Sequence, residues 1–380
     1  MVYLTRRKKS MKKIITLLSV LLMISACTKD NDELERYSRT TTTSGFDTTI
    51  TLLAYTKDEK EFNHYFELMS DKFWEYHMQF DKYNAYKDIN NIKTINDNAG
   101  IQAVEVSDEI MDLITLSKEY TSQSDYFDIT YGSVFRVWHD YREEGMELNA
   151  NGEAGNIPTE KELKEAATKV GWDKVEIDKD NKTIFLKEKG MELDVGAIAK
   201  GYATEMVARY LEEEGLKHAI VSGGGNIRTI NAKPDGPWKI GIQEPSEAID
   251  SPSVDVFEFE ESISIVTSGD YQRTYIGPDN TSYSHLINPK TLYPQTEFRS
   301  VTIITKDSIT ADVMSTTLFM MDYEEAQTFI EKHNKENPDN PISVFWIVDE
   351  NKDWYQGENF DYMMTEDLIP LSKNLNEKSQ

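Results

Sequence analysis

The chain has 380 residues and a formal net charge of −26 at pH 7, with 39% hydrophobic and 11% aromatic residues. This composition predicts a folded globular protein of one large domain or two ordinary ones, and it argues against a disordered chain. The negative charge repels nucleic-acid phosphates and argues against nucleic-acid binding. By itself the acidity indicates only solubility. An anionic ligand would need a local basic cluster or a bridging metal ion.

The N-terminus has the organisation of a secretory signal. Basic residues between positions 6 and 13 precede an apolar stretch, Ile14 to Ala26, that is too short to span a bilayer comfortably. Ile24-Ser25-Ala26-Cys27 resembles a bacterial lipobox, and Cys27 is the single cysteine, so no internal disulfide is possible. We predict a lipoprotein signal peptide at 1–26, lipidation of Cys27 and an extracytoplasmic, membrane-anchored protein. An ordinary signal peptide with a buried cysteine is the alternative, and either Met1 or Met11 is the true start.

The rest of the chain predicts helices and strands that do not alternate regularly. Residues 27–44 are polar and predict a flexible tether. Period-two and β-branched patterns predict strands at Thr48–Tyr55, Val175–Ile177, Thr183–Leu186, Met191–Asp194, His218–Ser222, Trp238–Gln243, Ser262–Ser268, Arg299–Thr305 and Val344–Val348. Helical spacing predicts helices at Glu61–Phe80, Ser107–Tyr120, Lys161–Lys169, Ile198–Glu214, Thr310–Met321 and Tyr323–His333.

This order of elements predicts an α+β fold, with a mixed or antiparallel sheet and flanking helices. We expect one domain over residues 45–371 and a polar tail at 372–380. Three glycines between Gly145 and Pro158 predict a surface loop in that domain.

Two glycine-containing segments have small residues that would let a ligand approach the backbone. Asp194 to Tyr202 runs from a predicted strand into a helix, whose free N–H groups favour an anion such as a pyrophosphate. Lys200 would meet the phosphate, and Asp194 would cap the turn or bind a ligand hydroxyl. Ser222 to Arg228, with sequence SGGGNIR, leaves a strand. The alternative for the first segment is a tight strand-to-helix turn packed on the core, and the alternative for the second is a bulge or tight turn.

Polar side chains in two further segments are candidates for catalysis. His285 follows a serine and precedes Asn288-Pro289, and it is either an acid/base group or a structural histidine. Asp312 and Thr316 are four residues apart and share one helix face. Their oxygens suit Mg²⁺, which takes one or two carboxylates and leaves its other positions to water and phosphate. A capping aspartate with a core-facing threonine is the alternative.

Taken together, these segments resemble the ApbE-like FAD:protein FMN transferases. The matching motifs occur in the order of the family: FDKYNAYKDINNIKTIN from Phe80, FDITYG from Phe127, DVGAIAKGYA from Asp194, SGGGNIR, SGDYQR from Ser268, SHLINPKTLYP from Ser284 and SVTIITKDSITADVMSTTLF from Ser300. The resemblance covers the chain from about Phe46 to Val348.

The resemblance implies a set of site residues. It implies a Mg²⁺ site formed by the backbone carbonyl of Ala197 with the side chains of Asp312 and Thr316, and it implies that His285 lies close to the phosphates. It further implies FAD contacts at Phe46, Tyr83, Tyr126, Phe127, Asp128, Asp194, Lys200 and Leu286. Asn288, Leu292 and Asn226 depart from the family pattern, which more often has Asp, Gly and, at the last position, sometimes Asp.

The implied activity is a Mg²⁺-dependent transfer of FMN from FAD to a Thr or Ser of an extracytoplasmic acceptor protein, with release of AMP. His285 and Asp312 would be the catalytic residues. Asp312 would also help to deprotonate the acceptor hydroxyl. A Mg²⁺-dependent FAD pyrophosphatase, with water in place of the hydroxyl, and a non-catalytic FAD-binding lipoprotein are the alternatives.

Overall fold

The computed structural model describes residues 34–246 and 251–378. The strands are β1 (Glu35–Thr41), β2 (Ile50–Thr56), β3 (Val104–Glu105), β4 (Val175–Asp178), β5 (Thr183–Leu186), β6 (Ala219–Gly223), β7 (Asn226–Ile230), β8 (Trp238–Gln243), β9 (Ser253–Phe259), β10 (Ser264–Gly269), β11 (Tyr275–Ile276), β12 (Ser282–Tyr283), β13 (Ser300–Thr305), β14 (Ser343–Val348), β15 (Tyr355–Gln356) and β16 (Asp361–Met364).

The α-helices are α1 (Glu59–Phe80), α2 (Ile92–Asp97), α3 (Asp108–Thr121), α4 (Gly132–Ala150), α5 (Glu160–Ala167), α6 (Ala199–Glu213), α7 (Ser308–Phe319), α8 (Tyr323–Glu336) and α9 (Lys373–Lys378). Short 3₁₀ turns occupy Ile129–Tyr131, Trp172–Lys174 and Glu366–Leu371.

A nine-stranded sheet forms the centre of the molecule, in the order β1-β2-β6-β7-β10-β13-β14-β16-β15. Each pair of neighbours in it is antiparallel. Three smaller sheets comprise β3-β5-β4, β8-β9 and β11-β12. Helices and antiparallel sheets in this irregular order confirm the α+β prediction.

The middle strands of the large sheet are buried on both faces, which explains their nearly continuous apolar sequences. In β13, Ile303 packs with α7 and α8, whereas the next residue, Ile304, packs with the β8-β9 hairpin. In β14, Trp346 packs in the same core as Ile303, and Phe345 packs in the same core as Ile304. The face covered by helices is the one that carries α6 and α7, and these two helices hold Lys200, Asp312 and Thr316 of the predicted site.

A smaller layer covers the start of α6. There α2, α3 and the β3-β5-β4 sheet share a core with Ile198, Tyr202 and Val313. On the other side, α4 and α5 pack with Tyr275 of β11 and with Ile287. The N-terminal part of α6 therefore lies between the smaller layer and the large sheet.

The prediction of a flexible tether is wrong over Glu35–Thr41. This segment pairs with β2 along its whole length, from Glu35 opposite Thr56 to Thr41 opposite Ile50. Tyr37 also stacks on Phe62 of α1, with 5.5 Å between the ring centroids. The polar composition arises because β1 is an edge strand whose side chains are mostly exposed. The signal peptide and Cys27 lie outside the described residues.

Two further expectations fail because long-range packing overrides a local signal. Residues 145–150 are helical rather than a loop. The ring of Tyr275 packs so closely against Gly145 and Gly155 that a Cβ atom at either position would collide with it. The predicted polar tail is anchored: Ser372 is buried, and Asp255 accepts hydrogen bonds from its hydroxyl and from the Lys373 N–H. The segment 191–194, predicted as a strand, is extended but belongs to no sheet.

Within residues 34–246 and 251–378, no helix has the length and apolar character needed to cross a membrane.

Candidate functional site

The segment before α6 is held by an ion pair across the fold. Asp194 Oδ2 lies 2.5 Å from Lys82 Nζ, and both side chains are largely buried. Burial alone raises the pKa of Asp194, but the Lys82 charge and the hydrogen bonds from Lys82 and the Gly196 N–H together outweigh burial, and the pKa lies below its ordinary value. Asp194 Oδ1 also accepts the N–H of Gly196. Asp194 therefore caps the turn, one of the two roles considered from the sequence.

The start of α6 offers fewer free N–H groups than the sequence suggests. The N–H of Ala199 donates to the carbonyl of Val195, and the N–H of Gly201 donates to Asp312 Oδ2 over 2.8 Å. Two donors of the first turn are therefore already used within the protein. An anion at this position depends mainly on side-chain cations.

The structure brings α6 and α7 into direct contact at the candidate metal residues. A Cβ atom on Gly201 would collide with the carbonyl oxygen of Ser308 and with Asp312 Cβ, so only glycine permits this approach. Lys200 Nζ lies 3.3 Å from the carbonyl oxygen of Gly196 and 3.7 Å from Asp312 Oδ1. The turn that contains Ala197 and the carboxylate of Asp312 are thus within reach of one cation.

The donor set fits a hard divalent cation. Asp312 Oδ2 is fixed by Gly201, and among the described residues the polar neighbour of Oδ1 is the Lys200 ammonium, 3.7 Å away. Thr316, one turn further along α7, adds a hydroxyl that lies 3.3 Å from the hydroxyl of Ser268. No group of three or more His, Cys, Asp or Glu suited to a metal occurs among the residues that the structure describes. A metal here would take most of its ligands from hydroxyl and carbonyl oxygens and from substrate.

His285 is held by its Nδ1 atom, which lies 3.1 Å from the carbonyl oxygen of Gln272. A carbonyl only accepts, so Nδ1 carries the proton, and in the neutral ring Nε2 is the acceptor. The next residue, Arg273, has φ = +52°, a strained conformation for a side chain other than glycine. His285 is of intermediate exposure, and its Nε2 makes no hydrogen bond to the residues that the structure describes.

Cations surround His285. Burial among protein atoms lowers the pKa of this histidine, and the charges of Arg273, Arg142 and Lys200 lower it further, to about 3. His285 is therefore neutral at physiological pH. The cluster also supplies the local basic patch that an anionic ligand would require in this acidic chain.

Sequence reasoning missed a face of α4 that carries two cations, Arg136 and Arg142, with the neutral His139 between them. The three-residue spacing places these side chains on one side of the helix, and that spacing was the available signal. The His139 ring packs on Tyr83, 5.2 Å away, and Arg136 and Lys82 also lie over that ring. Tyr83, a predicted FAD contact, is 47% exposed and surrounded by cations.

Phe46 is the first of the predicted FAD contacts along the chain. Its backbone has φ = +58°, and its N–H donates to His77 Nδ1 over 3.1 Å. Its ring packs edge-on against Phe73, which in turn lies against Gly223 at the end of β6. Gly224 and Gly225 have positive φ and form the β6-β7 hairpin turn, the tight-turn explanation of SGGGNIR. Asn226, just after them, is buried, and its Oδ1 has no hydrogen-bond partner.

The remaining predicted FAD contacts have other roles in this structure. The side chains of Phe127 and Leu286 are buried in two hydrophobic cores. Asp128 caps the 3₁₀ turn through the N–H of Thr130, and burial raises its pKa. The Tyr126 hydroxyl donates to Glu325 Oε2 over 2.5 Å.

Two residues that depart from the family pattern support the loop after His285. Leu292 has φ = +65°, the left-handed region where glycine is favoured, and its carbonyl accepts the indole N–H of Trp138. Asn288 is buried and donates from Nδ2 to the carbonyl of Met320. The loop therefore keeps a glycine-type turn without glycine.

The sequence matches known proteins. The sequence model of the ApbE family matches residues 46–337. A FAD:protein FMN transferase of Klebsiella pneumoniae is 30% identical over 240 residues, which cover 62% of this chain and 69% of the relative. A FAD:protein FMN transferase of Vibrio cholerae is 28% identical over 271 residues, which cover 70% and 75%.

Solved structures show the same fold. The ApbE protein of Thermotoga maritima superposes with a TM-score of 0.72 at 24% identity, covering 89% of this chain and 100% of that one. The flavin transferase ApbE of Vibrio cholerae gives a TM-score of 0.68 at 24% identity, covering 89% and 99%. These structures confirm the predicted fold.

Proposed function

Because the chain belongs to the ApbE family, we propose that it is a Mg²⁺-dependent FAD:protein FMN transferase that modifies a Thr or Ser of an extracytoplasmic acceptor protein. The observation that carries the proposal is the contact between Lys200, Asp312 and the turn at 194–197, next to a cluster of cations in a chain of net charge −26. Such a cluster suits a dianionic diphosphate. The relatives named above carry the same activity in their names.

In this proposal the carbonyl of Ala197, the Asp312 carboxylate and the Thr316 hydroxyl would hold the metal. When bound, Mg²⁺ would supply positive charge to the phosphate oxygens during transfer. The Gly201 N–H orients the Asp312 carboxylate by holding Oδ2. Lys200 balances the same carboxylate and is positioned to contact a phosphate oxygen. These contacts pre-organise the site before substrate binds.

His285 is suited to the role of proton acceptor. Its neutral Nε2 would take the proton of the acceptor hydroxyl while the hydroxyl oxygen forms a bond to the FMN phosphorus. The bond from that phosphorus to the bridging oxygen breaks, and AMP leaves with the electron pair. A bound diphosphate would partly neutralise the surrounding cations and raise the pKa of His285, which makes it a stronger base in the complex.

The decisive experiment is incubation with FAD, Mg²⁺ and a candidate acceptor. The proposal expects a fluorescent acceptor band on a denaturing gel, an acceptor mass increased by one FMN, and one AMP per FMN attached. EDTA and Asp312→Ala should both abolish transfer, with folding checked by circular dichroism. AMP and free FMN without a modified acceptor would identify a FAD pyrophosphatase. Intact FAD bound tightly in the presence of Mg²⁺ and acceptor would identify a carrier.

The membrane location is a separate part of the proposal. It is supported by the lipobox-like sequence at Cys27 and the apolar stretch before it. Cys27→Ser should abolish lipid labelling and either release the protein from membranes or leave the unprocessed precursor there. Unchanged labelling and processing would show that Cys27 is not the anchor.

A further inference from the structure

Arg142 of α4 is a largely buried guanidinium with little to balance it. Its side chain is 14% exposed, and the nearest carboxylate, that of the mostly exposed Glu143, lies 3.8 Å from Nη2. Its close partner is His139 Nδ1, 2.8 Å away. Burial and the Arg142 charge both lower the pKa of His139, so this partner is a neutral acceptor. Within the described chain, the five N–H donors of the Arg142 guanidinium therefore have one neutral nitrogen as their hydrogen-bond acceptor.

Arg273 is a second cation without a counter-ion. No carboxylate of the described residues lies within 4.0 Å of it, and its side chain makes no hydrogen bond to them. It stands at φ = +52°, directly after Gln272, whose carbonyl holds His285. The backbone strain is the kind that persists at sites where function requires it.

The fold brings these two arginines to the same place. Tyr275, two residues after Arg273, packs its ring against Gly145, three residues after Arg142 on α4. The two guanidinium groups lie near enough that Arg273 lowers the pKa of Arg142, after the larger effect of burial. Both also act on His285. A largely buried guanidinium such as Arg142, held beside a second cation, is unfavourable unless an anion joins the two.

We propose that Arg142 and Arg273 form an anion-binding pair that holds the phosphate oxygens of the FAD diphosphate beside His285. The inference rests on the proposed function and adds two residues to the phosphate site outside the candidate metal ligands. Arginine suits this task because its planar fork donates two parallel hydrogen bonds to a phosphate. The pair binds either the phosphate that leaves with adenosine or the phosphate that is transferred with the flavin.

The test is equilibrium binding of ADP, AMP and FMN to the full chain by calorimetry, with Mg²⁺ present and without acceptor. Arg142→Gln and Arg273→Gln should each weaken ADP about 10- to 100-fold, the range for a charge-assisted hydrogen bond. Loss of AMP affinity assigns the pair to the leaving phosphate, and loss of FMN affinity assigns it to the transferred one. Arg142→Lys, which keeps the charge but not the fork, should show an intermediate loss.

Arg39→Gln is the matched control, because this arginine has the same charge but packs on Phe66 at the edge strand β1. It should leave all three affinities unchanged. Arg273 is exposed, so Arg273→Gln should fold even if Arg142→Gln does not; melting temperatures check both. Unchanged affinities in folded variants would refute the anion-binding role of the two arginines and leave the proposed function standing. A wild type that binds none of the three probes overturns both.

Discussion

The backbone N–H of Gly201 donates a 2.8 Å hydrogen bond to Asp312 Oδ2, across a sequence separation of 111 residues. This bond joins the first turn of α6 to α7 at a point where α6 has no room for a side chain larger than that of glycine. It also orients the one buried carboxylate of the candidate metal site. The position of Asp312 therefore depends on a residue that has no side chain.

Gly201→Ala should damage the site more than the fold. The added methyl must displace the Ser308 carbonyl and Asp312, an overpacking that costs about 1–3 kcal/mol of unfolding free energy. The shift moves Asp312 away from Lys200, so kcat should fall at least tenfold in a protein that is still folded at 25 °C. Gly152→Ala is the control, since it meets no atom within 4 Å but has φ = +80°. It should lose about 1 kcal/mol and keep its activity. Equal activity in the two variants would contradict this role of Gly201.

Glu205 links α6 to the N-terminus of α7 and binds two arginines of different exposure. Its Oε2 accepts from Ser308 N–H and from Arg228, whose side chain is 10% exposed, whereas Oε1 accepts from Arg209, which is 55% exposed. Arg228→Gln should lower the unfolding free energy by about 3–5 kcal/mol, because it leaves a buried carboxylate poorly paired. Arg209→Gln should cost less than about 1 kcal/mol. Urea denaturation of both variants compares them, and similar losses would argue against the buried network.

The protonation of His285 should be visible in solution. Burial and nearby cations lower its pKa to about 3, so its ring signals in an NMR titration should not move between pH 5 and 8. Because the neutral form is the proton acceptor, kcat/KM should show no loss near pH 6.5. Arg273→Gln removes a cation and should shift the His285 pKa upward, toward the ordinary 6.5. His285→Ala assigns the signal. A wild-type transition near pH 6.5 at that signal would refute the electrostatic account.

The Lys82–Asp194 pair should make stability sensitive to acid. The folded pKa of Asp194 is depressed, so its contribution is complete above its unfolded pKa of about 3.9 and is lost as pH falls through the folded value. Lys82→Met leaves a buried carboxylate unpaired and should cost about 3 kcal/mol at pH 7.

The destabilisation by Lys82→Met should also depend on pH in a defined direction. Burial alone raises the Asp194 pKa, so the destabilisation by Lys82→Met should shrink as pH falls from 7 toward 4, where the carboxyl becomes neutral. Lys93→Met breaks a more exposed pair with Asp97 and should cost less than about 1 kcal/mol at either pH. Urea titrations at pH 7 and pH 4.5 decide the matter. A pH-independent loss for Lys82→Met would contradict the assigned pair.

Local signals predicted the elements that carry the site. α6 and α7 were predicted within two residues at each end, because apolar spacing and the glycine after α6 are properties of neighbouring residues. The motifs identified the family, and Asp312 and Thr316 shared a face because helix geometry requires it. The same local reasoning failed at Gly145, where the glycine accommodates Tyr275 from a distant strand. It also failed at β1, where seven polar-rich residues pair with β2 although their sequence predicted a tether.

The sequence by itself determined the α+β class, the family and the helical spacing of the candidate metal ligands, since each of these is a pattern among residues near one another in the chain. Only the tertiary structure decided which charges meet. Lys82 pairs with Asp194 across 112 residues, and Arg142 of α4 and Arg273, which follows β10, both act on His285. A side chain's pKa, its ion pairs and its available donors depend on distance in space, and chain order sets that distance only after the layers have packed.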